Sequence, residues 1–229
     1  MNILSGGAAA ALVKAMQEAF TRETGAGIDG TFSAVGMMRD QLLAGAPCDL
    51  VILTAPLIDD LIRSGHVVAG SAQSLGRVRT GIALRSGEPL RALANADELR
   101  TALRSAKGVY FPDAEKSTAG RHFMAVLRKL GLDQELVPVL RQYPNGETAM
   151  REMAACDAPG LIGCTQVTEI NGTAGVELVA MLPAEFELAT DYTLGICTGA
   201  RHPAQARVLA AMLTGPASAE IRRRGGFEF

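Results

Sequence analysis

The chain has 229 residues, long enough for one large domain or two lobes of roughly 100–130 residues each. Apolar residues make up 48% and charged residues 20%, the balance of an ordinary soluble globular protein. A net charge of −2 with no basic stripe gives no sign of a nucleic-acid surface, and no apolar run reaches the roughly 20 residues of a membrane span.

The elements follow from periodicity and punctuation. A short apolar run, Asn2-Ile-Leu-Ser, leads through Gly6 and Gly7 into a helix over 8–24, with Leu12, Val13, Met16 and Phe20 on one face. Gly25 and Gly27 end it. A strand over 28–33, a helix over 36–44 and a buried strand over 49–53 complete a β-α-β-α-β opening, which implies parallel strands with ligands at their carboxyl ends. Further on, a helix over 56–64 and a strand over 79–84 are expected. Asn95 and Glu98 form a capping-box pattern for a helix to Ser105. A strand over 108–111 leads by a polar loop into a helix over 119–130. A turn at Tyr143-Pro-Asn-Gly opens a helix over 147–156, a strand runs over 160–163, and 164–170 reads as helical. Strands over 176–181 and 192–197 and two helices, 203–214 and 216–224, end the chain. The basic run Arg222-Arg223-Arg224 reads as the dipole-complementing end of the last helix.

No basic-then-apolar leader precedes the first strand, which points to a cytoplasmic workplace. The alternative is a periplasmic protein whose native leader was replaced by Met1. Cys48, Cys156, Cys164 and Cys197 form no C-x-x-C pair, so reduced and mostly buried thiols are expected. His66, His122 and His202 are not grouped at ligand spacing, and neither a metal nor a cofactor is expected.

Several stretches carry a family resemblance: the opening strand–turn–helix, Phe32-Ser-Ala, Leu43-Ala-Gly-Ala-Pro-Cys-Asp-Leu-Val-Ile, Thr118-Ala-Gly-Arg and Leu213-Thr-Gly-Pro-Ala-Ser-Ala-Glu-Ile. On these the chain resembles the molybdate-binding group of solute-binding proteins. The resemblance implies an α/β, two-lobed periplasmic-binding-protein-like fold with a central ligand cleft. One lobe would be 1–79 plus 190–229 and the other 80–189. A small anionic ligand is the implied partner, with a membrane transporter as a second partner if a leader has been removed. Helix starts and strand ends at Ser5–Ala8, Ala34–Gly36, Ser117–Gly120, Gly146–Thr148 and Gly163–Gln166 would hold the ligand. The expected ligand-binding residues are Ser5, Gly7, Ala8, Val35, Gly36, Ser117, Thr118, Ala119, Arg121, Gly146 and Thr165.

The departures from the family pattern bear on the ligand. Ala8, Val35 and the Gly163–Cys164 pair stand where molybdate-binding members carry two serines and a tyrosine. An oxyanion taken out of water needs those donors, so molybdate is disfavoured and a carboxylate-bearing metabolite is expected. The alternative is an enzyme. Aconitate isomerase resembles the same receptors, and an allylic proton shift on an unsaturated di- or tricarboxylate needs an anion clamp and a proton carrier. Arg121, Ser117 and Thr118 would clamp, and Glu147 or Cys164 would carry the proton, Cys164 through a thiol acidified at a helix start. Each residue also has a plainer reading. Ser5 and Ser117 can be N-caps, Arg121 a surface ion-pair partner, Cys164 small apolar filling and Glu147 an ordinary first-turn acid.

Overall fold

The computed structural model describes residues 1–90 and 92–229. The chain opens as strand β1 (Asn2–Gly6) with Ile3 and Leu4 buried. A 3-10 turn over Gly7–Ala9 precedes α1 (Ala10–Thr24), whose Leu12, Val13, Met16 and Phe20 recur at helical spacing and are buried. Gly25, left-handed at φ 69°, closes α1 by donating to the Thr21 carbonyl. Then come β2 (Asp29–Ser33), α2 (Val35–Leu43), β3 (Leu50–Thr54), α3 (Ala55–Arg63) and β4 (Gln73–Arg85). The next stretch holds α4 (Ala96–Ser105), β5 (Gly108–Pro112), α5 (Thr118–Lys129), β6 (Leu140–Tyr143), α6 (Gly146–Ala155), β7 (Leu161–Gln166), α7 (Val167–Asn171) and β8 (Val176–Met181). The chain ends with β9 (Ala189–Ile196), α8 (Pro203–Thr214) and α9 (Ala219–Gly225).

These elements form two units, Met1–Val78 with Thr190–Phe229, and Arg79–Ala189. In the first unit β1 lies between β2 and β3, parallel to both, and β9 runs antiparallel beside β3. Asp49 pins the start of β3. Its carboxylate accepts the N–H groups of Asn2 and His202, both at 2.8 Å. Burial alone would raise this carboxyl, but the backbone donors of Asn2, His202 and Arg201 hold it below its ordinary value. The Thr-Gly-Pro-Ala-Ser stretch is held by two side chains. Ser218 Oγ donates to Leu213 O at 2.8 Å, and buried Arg222 donates to the carbonyls of Leu75 and Thr214 at 2.9 and 2.7 Å. Arg222 therefore serves a neighbouring segment rather than the dipole of its own helix.

In the second unit β5 is parallel to both β6 and β7, and β4 is antiparallel to β7 and β8. Alternate residues of β5 enter two cores. Val109 and Phe111 pack with Leu99, Leu103, Phe123, Leu127 and Cys164, while Tyr110 packs with Met150, Met153 and Leu161. Burial on both faces explains why these strands read as continuous apolar runs.

Three expectations need correction. The fourth strand begins at Gln73, well before residue 79, because Arg77 pairs with Glu228 through two 2.8 Å backbone bonds. A pairing so distant along the chain leaves no local signal. The half-exposed edge strand β6 was not expected, since its place is set by β5. Residues 164–166 are strand rather than helix, because Gly81, Ile82 and Thr80 pair with them.

Candidate functional site

The expected ligand residues gather into one group in each unit. In the first, β1 and β2 are parallel neighbours with Gly6 opposite Ser33, so the segments leaving them start side by side. Ala8 and Val35 are buried there, and Gly7 is half-buried. Gly6 permits the close approach: a Cβ on it would lie 2.7 Å from Val35 and 3.2 Å from the Tyr192 ring. Tyr192, on β9, was missed by sequence reasoning, which read only the strand. Ser5 corrects an expectation. It lies inside β1, fully buried, and its hydroxyl donates to the Gly6 carbonyl at 2.9 Å, so it caps no helix. Among the described residues, no side chain caps α2 at Ala34, and the first turn at Val35 and Gly36 holds no acid. Helix amides left this way suit an anion.

In the second unit, Pro112 at the end of β5 lies opposite Tyr143 at the end of β6, so α5 and α6 start from adjacent parallel strands. Asp113 Oδ1 orders the intervening loop by accepting the N–H groups of Glu115 and Lys116 at 2.8 and 2.6 Å. Ser117 is the N-cap of α5, although its bond from Gly120 N is long at 3.4 Å. Thr118 is half-buried and Ala119 buried, and the first turn of α5 also lacks an acid. Gly120 explains the Thr-Ala-Gly-Arg stretch, since a Cβ there would lie 2.1 Å from the Asp113 carbonyl oxygen. Arg121 is exposed, with Nη1 donating to the Glu115 carbonyl at 2.9 Å.

The start of α6 differs. Asn145 accepts the Thr148 N–H at 2.8 Å, and the Glu169 carboxylate accepts the Gly146 N–H at 3.2 Å and also that of Glu147. Thr165 donates its hydroxyl to the same carboxylate at 2.5 Å. The amides and hydroxyl expected to hold a ligand at Gly146 and Thr165 are thus engaged by the internal Glu169 carboxyl. A Cβ on Gly146 would come within 2.0 Å of Thr165 Oγ1 and 2.1 Å of Glu169 Oε2, which leaves no room for an added atom. Burial pushes the Glu169 carboxyl up to about 7, with the Thr165 hydroxyl and the Gly146 amide opposing and the Glu147 charge adding to the rise. Glu169 is the main residue that sequence reasoning missed. A lone acid within the short run Val-Thr-Glu-Ile, four residues after a threonine, was the available signal.

The two expected proton carriers fare differently. Glu147 lies in the first turn of α6, half-buried. Cys164 corrects an expectation: it sits inside β7, fully buried in the core, and burial pushes its thiol up rather than down. A strand interior supplies no helix amides to stabilise a thiolate. Among the described residues, no set of three His, Cys, Asp or Glu side chains converges as metal ligands.

Comparison with known proteins agrees with this architecture. Aconitate isomerase from a Pseudomonas species is 25% identical over 236 residues, covering 100% of this chain and 87% of that protein. The molybdate-binding protein ModA of Escherichia coli is 26% identical over 225 residues, covering 96% and 86%. The periplasmic molybdate-binding protein of Azotobacter vinelandii superposes with a TM-score of 0.81 at 16% identity, over 100% of this chain and 99% of its own. This is the periplasmic-binding-protein fold, and with a family match running over residues 1–228 the chain belongs to the bacterial extracellular solute-binding proteins.

Proposed function

We propose that the chain binds a small organic anion, a carboxylate-bearing metabolite, at helix starts of its two units. The observation that carries this reading is the contrast between two kinds of helix start. Those of α4 and α6 are satisfied by Asn95 and Asn145 together with Glu98 and Glu169. Those of α2 and α5 meet no first-turn acid, and α2 has no side-chain cap. Anions favour the latter kind. Arg121 in the first turn of α5 adds a guanidinium suited to a carboxylate.

Molybdate fits this donor set less well. Ala8, Val35 and Cys164 are buried without hydroxyls, Ser5 is turned to the Gly6 carbonyl, and Thr165 is committed to Glu169. A transporter that receives the ligand is the partner the family membership implies. Among the described residues, no helix is long and apolar enough to cross a membrane.

A second reading is an isomerase that moves a proton on an unsaturated di- or tricarboxylate. The likeness to aconitate isomerase over the whole chain favours it, with Glu147 as the remaining proton carrier. Thermal-shift screening against molybdate, tungstate, sulfate and a panel of di- and tricarboxylates tests the binding reading. A ligand at about 100 times its Kd should raise Tm by roughly 5–10 °C. A shift with molybdate alone would overturn the carboxylate reading. For any stabilising acid, proton NMR in heavy water then separates the two readings. Deuterium incorporation marks the isomerase, and an unchanged spectrum leaves a receptor.

A further inference from the structure

We propose that Glu169 sets the ligand specificity of the second unit: its carboxyl occupies the start of α6 and so excludes inorganic oxyanions, leaving a single carboxylate to be taken at the start of α5. The inference rests on the reading that helix starts of this unit receive the ligand. Tyr110 lies opposite Gly163 and Pro112 opposite Tyr143, so β6, β5 and β7 end at the same edge of the sheet. Thr165, two residues beyond Gly163, is therefore level with Pro112, and the segments leading to α5 and α6 leave from the same edge. An anion held there draws on three sources: the first amides of α5, the first amides of α6 and the Thr165 hydroxyl.

Glu169 removes two of the three. Its Oε1 accepts the Gly146 N–H at 3.2 Å, and its Oε2 accepts the Thr165 hydroxyl at 2.5 Å. The position is full as well as engaged. A Cβ on Gly146 would lie 2.0 Å from Thr165 Oγ1 and 2.1 Å from Glu169 Oε2, so no oxygen of a ligand fits beside them. A tetrahedral oxyanion taken out of water needs partners for nearly all its oxygens, and here it would stand against the oxygens of the Glu169 carboxyl. A carboxylate has only two oxygens to satisfy. The first turn of α5 meets that smaller demand, with Thr118 half-buried and Arg121 exposed beside it.

A plain capping role explains less. Asn145 already caps α6 by accepting the Thr148 N–H at 2.8 Å, and Glu147 supplies an acid in the first turn. At α4 the same combination suffices, with Asn95 as cap and Glu98 from that helix's own first turn. The start of α6 adds a further acid from 23 positions away, and Glu169 is only 7% exposed. Burying a carboxyl is costly even when it is hydrogen-bonded. A group held there beyond what capping requires is accounted for by recognition.

The test is isothermal titration calorimetry of the full-length chain at pH 8, above the value of about 7 to which burial raises the Glu169 carboxyl. The ligands are molybdate, tungstate, sulfate and the panel of di- and tricarboxylates. Wild type should bind the three oxyanions weakly. Glu169→Ala, which vacates the position, should bind at least one of them about 100-fold more tightly, and adding Thr165→Val should remove most of that gain. Glu169→Gln keeps the volume and removes the charge. It should gain about tenfold, and it decides the outcome if the alanine variant does not fold. Equal oxyanion affinities in wild type and variants would overturn the proposal, as would a gain that Thr165→Val leaves untouched. The carboxylate reading is scored separately, on wild type with the acids. If no acid binds and Glu169→Ala gains an oxyanion, that reading falls and the role of Glu169 stands. If an acid binds wild type and no variant gains an oxyanion, only the role of Glu169 falls.

Discussion

Thr165 Oγ1 donates a 2.5 Å hydrogen bond to Glu169 Oε2, and through that bond a buried carboxylate is fixed over the first amides of α6. A carboxyl group drawn from the chain itself thus sits where a helix start would otherwise be open. This makes the α6 start a filled position, whereas the start of α2 has no side-chain cap and the start of α5 no first-turn acid.

The Glu169 carboxyl is raised from an ordinary 4.5 to about 7. Between those values the folded state holds more protons than the unfolded one, so stability falls as pH rises. The stabilisation is fully present below pH 4.5 and is lost through about 7, a change of about 3 kcal/mol if the whole shift is realised. Urea unfolding of wild type and Glu169→Gln at pH 5, 6 and 8 should show this component of the slope only in wild type. Equal slopes would place the titration elsewhere.

Gly146→Ala should cost about 1–3 kcal/mol. The added methyl meets both Thr165 Oγ1 and Glu169 Oε2 at near 2 Å, so the carboxylate must move and its hydrogen bonds loosen. Chemical denaturation measures the loss. A neutral result would mean that the pair rearranges without penalty.

Arg222→Met should be more severe. The carbonyls of Leu75 and Thr214 lose their donor, and the cation 4.0 Å from the Phe229 ring centroid is removed. We expect a loss of about 2–4 kcal/mol, visible as a fall in Tm of roughly 5–15 °C. Arg224→Met, at the exposed end of the same helix, should change Tm by a degree or so at most.

Ser117→Ala and Arg121→Ala separate stability from binding. Losing the Ser117 cap should cost about 1 kcal/mol of stability. Arg121 is exposed, and its removal should leave Tm almost unchanged. If Arg121 meets the carboxylate of the ligand, Arg121→Ala should weaken binding by about 1.5–3 kcal/mol, measured by calorimetry with whichever acid stabilises the wild type. Unchanged affinity would remove Arg121 from the site.

Local pattern was enough for much of the fold. Apolar spacing and glycine punctuation located α1, β2, α2 and β3 to within a residue or two, and Asn95 caps α4 as the capping-box pattern expects, although Glu98 reaches one residue further back, to the Ala94 N–H. Such features depend on groups within about four residues of one another, so they are written where they act.

Contacts between distant residues settled the rest. Glu169 reaches Gly146 across 23 positions, Asp49 reaches His202 across 153, and Arg222 reaches Leu75 across 147. The same is true of Cys164, whose burial follows from its place in β7 beside β4 rather than from its neighbours in sequence. A pKa depends on which groups surround a side chain and how much water is excluded, and neither is set by adjacency along the chain. The opening strand–turn–helix could therefore be read directly from its residues, whereas the carboxylate that fills the start of α6 emerged only once the chain had folded back on itself.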